Sequence, residues 1–254
     1  MEYTRINYQE DGGIVTISMN HDKNLNALDG TLIAELIDAF KKAGESDTRA
    51  ILLNSTSRIF CSGGDLGTMY KGIKKGETDF SGEVAGASDV VKTMKQCPKP
   101  IVCAVNGAAA GAGVCIALGG DYVIADENAS FICAFVNVGL VPDTGGVYLL
   151  SRVIGDAKAR DLAMTGRPVG VQEAKELGMV AQVVAPEELQ AAALKMTKRF
   201  AKGPALSYQH MKELLWLANF SGFDEYAKQE VAAMADCMQT QDFRDRVCAF
   251  IEKK

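Results

Sequence analysis

Up to about Ala185 this chain alternates short apolar strands with amphipathic helical stretches, and beyond that point every segment reads as helix. Such alternation commits the first part to an α/β core with helices laid on sheets. Tyr3 to Tyr8 and Ile14 to Met19 alternate apolar and polar around Asp11-Gly12-Gly13, a hairpin pattern. Leu32, Ile33, Leu36, Ile37 and Phe40 then recur at helical spacing behind Asp29, a candidate N-cap. Buried strands are expected at Ala50–Leu53, Ile101–Val105, Tyr122–Ala125 and Phe131–Phe135, and helices at Ser88–Lys95, Gly113–Leu118 and Gly145–Val153. The helical tail reads as Pro186–Ala201, Ala205–Leu217, Asp224–Cys237 and Asp242–Lys253. We divide the chain into a core, residues 1–195, and a C-terminal helical region, residues 196–254. Tail helices carry apolar residues on more than one face, such as Val231, Met234 and Ala235, or Val247, Phe250 and Ile251. They need both the core and a neighbouring subunit to lie against.

A formal charge of −5 with no basic run argues against nucleic acid as a partner. The start, MEYTRINYQEDGG, lacks the basic and apolar pattern of a signal peptide, and the longest apolar stretch, Ala108 to Leu118, is too short for a bilayer. Seven cysteines form no C-x-x-C pair, which reads as reduced, buried thiols in a cytoplasmic protein without a metal site. His21 and His210 stand apart from each other and from any nucleophile motif.

Two glycine-bearing turns carry the chemistry. In Arg58-Ile-Phe-Cys-Ser-Gly-Gly-Asp-Leu66 a strand ends at Gly63 and Gly64, and in Val105-Asn-Gly-Ala-Ala-Ala-Gly-Ala-Gly-Val114 a strand runs into a helix. Glycines leave backbone N–H groups exposed, and at a helix start the dipole favours negative charge. The second turn is neither a dinucleotide fingerprint nor a phosphate loop, since its glycines fall at 107, 111 and 113 with no Gly-Lys-Ser/Thr. Either turn alone is also an ordinary tight connection. Together they suit a carbonyl oxygen that becomes an enolate.

Asn24-Leu-Asn-Ala-Leu28, Phe60-Cys-Ser-Gly-Gly-Asp-Leu66, Lys99-Pro-Ile-Val-Cys-Ala-Val-Asn-Gly107 and Gly139-Leu-Val-Pro-Asp-Thr-Gly-Gly146 resemble, in order, the motifs of the crotonase (enoyl-CoA hydratase/isomerase) family. Thr165-Gly-Arg167 and Glu173-Ala-Lys-Glu-Leu-Gly-Met179 resemble the segment that follows, so the likeness covers essentially the whole chain. It implies a crotonase-like α/β spiral of ββα repeats, with a C-terminal helical region used in forming a homotrimer or a dimer of trimers. The implied substrate is an acyl-CoA, carried as a coenzyme A thioester with no prosthetic group. Two oxyanion-hole donors are implied at Gly64 and Ala112, the latter where the family usually has glycine. Its methyl group is expected to narrow the pocket. The implied CoA contacts are Lys23, Asn24, Ala27 and Leu28 near the adenine, Arg58 at a phosphate, and Lys253 reaching a neighbour's CoA. Each cation also reads as an ordinary solvated side chain. Met69 and Tyr70 open what reads as a loop, Gly67 to Gly82, expected to shape the acyl pocket.

Hydratases of the family hold water between two glutamates, whose positions align here with Cys115 and Phe135. Neither residue can deprotonate water in that way, so hydration is disfavoured. One acid remains, Asp143, which reads as a proton shuttle or as the N-cap of the helix near Gly145. The resemblance then implies an isomerase moving a double bond from 3-enoyl-CoA to 2-enoyl-CoA. Alternatives are a ring or epoxide isomerase on an aromatic-derived CoA ester, a hydratase with a non-standard acid or base, and a non-catalytic acyl-CoA-binding homologue. Dehalogenation is set aside, because neither histidine is placed to assist an aspartate nucleophile.

Overall fold

The structure is a computed structural model that describes residues 2–77 and 79–252. Strands β1 (Ile6–Asp11) and β2 (Ile14–Met19) form the expected antiparallel hairpin, turning through Gly12 and Gly13 at φ +56° and +77°. Helix α1 (Gly30–Glu45) follows, capped by Asp29, whose Oδ1 accepts from Leu32 N at 2.7 Å. Next come β3 (Ala50–Ser55), α2 (Leu66–Lys75), α3 (Ser81–Gln96), β4 (Ile101–Val105), β5 (Ala108–Ala110) and α4 (Ala112–Gly119). The middle of the chain holds β6 (Tyr122–Asp126), β7 (Ser130–Ile132), α5 (Gly146–Ile154), α6 (Asp156–Thr165), β8 (Pro168–Gly170), α7 (Val171–Glu176) and β9 (Gln182–Val184). Four helices finish it: α8 (Leu189–Ala201), α9 (Ala205–Phe220), α10 (Phe223–Met238) and α11 (Gln241–Glu252).

The strands divide between two sheets, in the order β1-β2-β3-β4-β6-β9 and β5-β7-β8. Past the hairpin the larger sheet is parallel throughout. The chain steps from the larger sheet to the smaller at β4–β5 and again at β6–β7, winding as a spiral. Parallel strands with both faces covered need apolar residues on both, and they have them. Ile51, Leu53, Ile101, Cys103 and Val105 face the main core, whereas Leu52, Val102, Ala104 and Ile124 face Leu189 and Ala193 of α8. Helix α8 runs across the 195/196 division. Beyond it, α10 packs on α3, and α11 packs on α2, so the tail folds back over its own core.

Two expected elements differ. The strand expected at Phe131–Phe135 ends at Ile132, because Ala134–Val138 coils into a 3-10 turn closed by Gly139 at φ +74°. The loop expected at Gly67–Gly82 is instead most of α2, a short connection and the start of α3. Asp65 caps α2 by accepting from Thr68 N at 3.0 Å, and Gly76 ends it at φ +80°. Gly72 inside α2 is a packing site: a Cβ there would lie 2.7 Å from the Phe80 ring.

Candidate active site

The first glycine turn leaves β3 and runs beside β5. Phe60 N and Cys61 N donate to Ala108 O at 3.1 and 3.2 Å, Ala110 N donates to Cys61 O at 2.9 Å, and Cys61 pairs with Ala109 in parallel register. Beyond that pair, Gly63 lies against Ala110 and Gly111, and Gly113 against Cys61. The approach depends on missing side chains. A Cβ on Gly63 (φ +92°) would lie 2.8 Å from Ala110 O, and one on Gly113 would lie 2.7 Å from Cys61 O. Gly111 (φ +51°) turns its N–H away to Ile132 O at 2.8 Å. The Gly64 and Ala112 N–H groups donate to no protein acceptor among the described residues. Ala112 also opens α4, where the helix dipole adds positive character.

Gly63, Gly64 and Gly111 line a cavity of about 330 Å³, within the range of small-molecule pockets. Its remaining walls are mainly apolar: Met69 from α2, Phe135 and Val138 from the 3-10 turn, Leu140, Met234 from α10 and Phe250 from α11. Ala112 is buried and follows directly on Gly111, which lines the cavity. Asp143 is the one ionisable side chain lining the cavity among the described residues.

Asp143 sits on a strained turn. Thr144 is fully buried at φ +59°, a region β-branched residues avoid, and Gly145 follows at φ +73°. The backbone there is held by Gly146 N donating to Asp143 O at 2.8 Å and by the Cys115 thiol donating to the same oxygen at 3.5 Å. The Asp143 carboxylate accepts from Thr144 Oγ1 at 2.8 Å. It makes no cap for α5, whose N-cap is Gly145. Burial raises its pKa from 3.8 to about 7; the Thr144 hydrogen bond opposes this and the negative Glu230 adds to it. At neutral pH the acid and the base form are therefore both populated.

The segment expected to meet CoA borders this site. Leu28 N donates to Gly63 O at 2.8 Å and Ser62 N to Leu25 O at 3.1 Å, fastening Asn24–Leu28 to the first turn. Leu25 and Asn26 adopt φ +58° and +54°, held by the buried Asn26 amide, which donates to Ser55 Oγ and Phe60 O and accepts from His21 N. Ala27 and Leu28 are buried; Lys23 and Arg58 are exposed. A hydrogen bond from Ser57 to Asp22 joins their immediate neighbours, so the two cations stand at the same end of β3. Lys253 lies outside the described residues.

The enoyl-CoA hydratase/isomerase family model matches residues 9–254. The chain belongs to the enoyl-CoA hydratase/isomerase family. It is 35% identical over 256 residues to the trans-2-decenoyl-[acyl-carrier-protein] isomerase of Streptococcus mutans, covering 100% of this chain and 97% of that one. It is also 35% identical over 244 residues to the 1,2-epoxyphenylacetyl-CoA isomerase of Escherichia coli K12, covering 95% and 93%. An enoyl-CoA hydratase structure from Mycobacterium avium subsp. paratuberculosis superposes with a TM-score of 0.90 at 26% identity, covering 98% and 100%.

Cys115 and Phe135 are the residues that the sequence motifs align with the glutamates of the family's hydratases. Cys115 is buried in α4, where burial holds its thiol well above 9 and therefore protonated, and Phe135 is part of the cavity wall. Neither offers water a base. Among the described residues no group of His, Cys, Asp and Glu could hold a metal, and no helix is long and apolar enough to cross a membrane. Sequence reasoning missed Glu230, a buried carboxylate of α10 that accepts from Gly145 N and so caps α5 from across the fold. A signal existed: Tyr226, Glu230, Met234 and Met238 recur four residues apart, which places an acid in an apolar stripe.

Proposed function

We propose that this chain is an isomerase of enoyl thioesters, shifting a double bond between the 3- and 2-positions, with Asp143 as its proton carrier. The observation that carries this reading is the isolation of Asp143: one titratable side chain, with a pKa near 7, on the wall of an otherwise uncharged cavity. In this mechanism the Asp143 carboxylate removes the α-proton of a 3-enoyl thioester. The C–H electrons move into the conjugated system and charge collects on the thioester oxygen. Gly64 N–H and Ala112 N–H receive that oxygen, each contributing about 3–4 kcal/mol of transition-state stabilisation. The same acid then delivers the proton to the γ-carbon, leaving the 2-enoyl product. Migration returns the borrowed proton and needs no water, so one carboxyl group suffices.

The acyl chain fits the apolar walls from Met69 to Phe250, and in this reading Lys23, Asn24, Ala27, Leu28 and Arg58, outside that cavity, hold the carrier as coenzyme A. Assembly as a homotrimer or dimer of trimers belongs to the same reading, through α9, which leaves Leu206, Leu214 and Leu217 largely exposed. The similarity to an epoxyphenylacetyl-CoA isomerase supports a second reading, in which Asp143 serves a ring-derived ester.

Turnover of 3-hexenoyl-CoA and of an epoxyphenylacetyl-CoA separates the two readings. Asp143→Asn is expected to lower kcat on the preferred substrate by about 10²–10⁴-fold, the usual contribution of a general base. Unchanged turnover in that variant removes Asp143 from the mechanism. Tight CoA binding with no turnover by the unaltered protein identifies a non-catalytic binder.

A further inference from the structure

Glu230 lies at the centre of α10, 5% exposed, and does not line the cavity. Every group fastened to it is a donor. Gly145 N reaches its two oxygens at 3.0 and 3.1 Å, and Ser88 Oγ donates at 2.8 Å. These donors favour an ionised carboxylate and oppose the burial that raises the Glu230 pKa above its ordinary 4.5. The turn it grips is the strained one, with buried Thr144 at φ +59° between Asp143 and the clamped Gly145. Strain of this kind persists only where the surroundings hold it.

We propose that Glu230 is a positioning residue for Asp143: from α10 it clamps the Gly145 end of the turn and, in its ionised form, sets a negative charge that acts on the Asp143 carboxyl. This rests on the isomerase reading, in which Asp143 is the proton carrier. The other groups facing Asp143 are Thr144, Cys115 and Cys133, and Tyr226 and Cys115 face Glu230. Burial pushes the Cys133 thiol up to about 12 and raises Cys115 and Tyr226 as well, so all three stay neutral. Of these groups, Glu230 is the one whose ionised form raises the Asp143 pKa.

Two variants test this with 3-hexenoyl-CoA as substrate. Glu230→Gln keeps the shape and an acceptor for Gly145 N but removes the charge, so Asp143 should lose its proton at lower pH. The acidic limb of the kcat profile is expected to move down by roughly half a pH unit or more. Glu230→Ala loses the clamp as well; kcat is expected to fall at least ~10-fold with KM within ~2-fold, and Gln to recover most of the loss. A folded Glu230→Gln protein whose limb stays at the wild-type pH overturns the proposal, even where Glu230→Ala fails to fold. The isomerase reading then survives as long as Asp143→Asn is inactive. A double-mutant cycle in thermal unfolding at pH 8 reads the same coupling without substrate. Asp143→Asn is expected to raise Tm less in the Glu230→Gln background than in wild type, and strict additivity counts against the proposal.

Discussion

At the scale of a residue, the position of Asp143 has a thermodynamic consequence that can be measured without any substrate. Its carboxyl binds a proton more tightly in the folded chain, with a pKa of about 7 against 3.8, so between these values the folded state holds more protons than the unfolded one. Stability contributed by this group therefore falls as pH rises from about 4 to about 7, and stays low above. Three units at about 1.36 kcal/mol each set an upper limit near ~4 kcal/mol, which local relaxation will reduce. Asparagine has the same shape and no charge to desolvate. Asp143→Asn is thus expected to raise Tm by several degrees at pH 8 and by little at pH 4.5, measured by calorimetry at both values. An equal increment at the two pH values would mean that the charge is not what burial penalises. The residue itself was legible in the sequence, but its freedom from capping α5 was not. Glu230, 85 positions downstream of Gly145, takes over that capping role, and no local pattern announces so distant a partner.

At the scale of elements, the site is made where two turns meet, and the Cys61–Ala109 pairing sets their register. Gly63, Gly64, Gly111 and Gly113 stood out in the sequence because paired glycines at a strand end mark backbone that turns left-handed or is closely approached. What joins them did not stand out: β5, β7 and β8 are three residues each, too short for periodicity to register. Helix α2 was missed for a related reason, since two glycines inside it resemble loop composition although Asp65 supplies a sound cap. The register yields a test of one donor at a time. Ala112 is the first residue of α4, a position where proline fits the helix and removes only an N–H that makes no intrahelical bond. Ala112→Pro is expected to lower kcat by about 10²–10³-fold while leaving the far-ultraviolet circular dichroism unchanged. A folded variant with full activity would show that this N–H does not receive the thioester oxygen.

At the scale of the whole molecule, the last two helices complete the cavity and α9 looks outward. Helices α10 and α11 bring Met234 and Phe250 to its wall, and Glu252 ties α11 to α2 through Tyr70 OH at 2.8 Å and Lys74 Nζ at 3.0 Å. That tail is therefore spent on its own subunit. Helix α9 is not: of its residues only Lys212 is buried, bonded to Asp121 and to Met94 O. Leu206, Leu214 and Leu217 are 64%, 65% and 67% exposed. Residues eight and eleven apart fall near one side of a helix with about 3.6 residues per turn, so the three make an apolar stripe. With Met211 and Leu215 exposed on the same helix as well, this apolar surface is the one we expect a second copy of the chain to cover. Burying each leucine fully contributes about 1.5–3 kcal/mol, so two charges placed there should be enough to separate subunits. Light scattering after size-exclusion chromatography is expected to give three or six chain masses for the wild type and one for Leu214→Glu/Leu217→Glu, with the helical signal of both alike. A wild type that runs as one chain mass, or a double variant that keeps the wild-type mass, would exclude this stripe as the assembly surface.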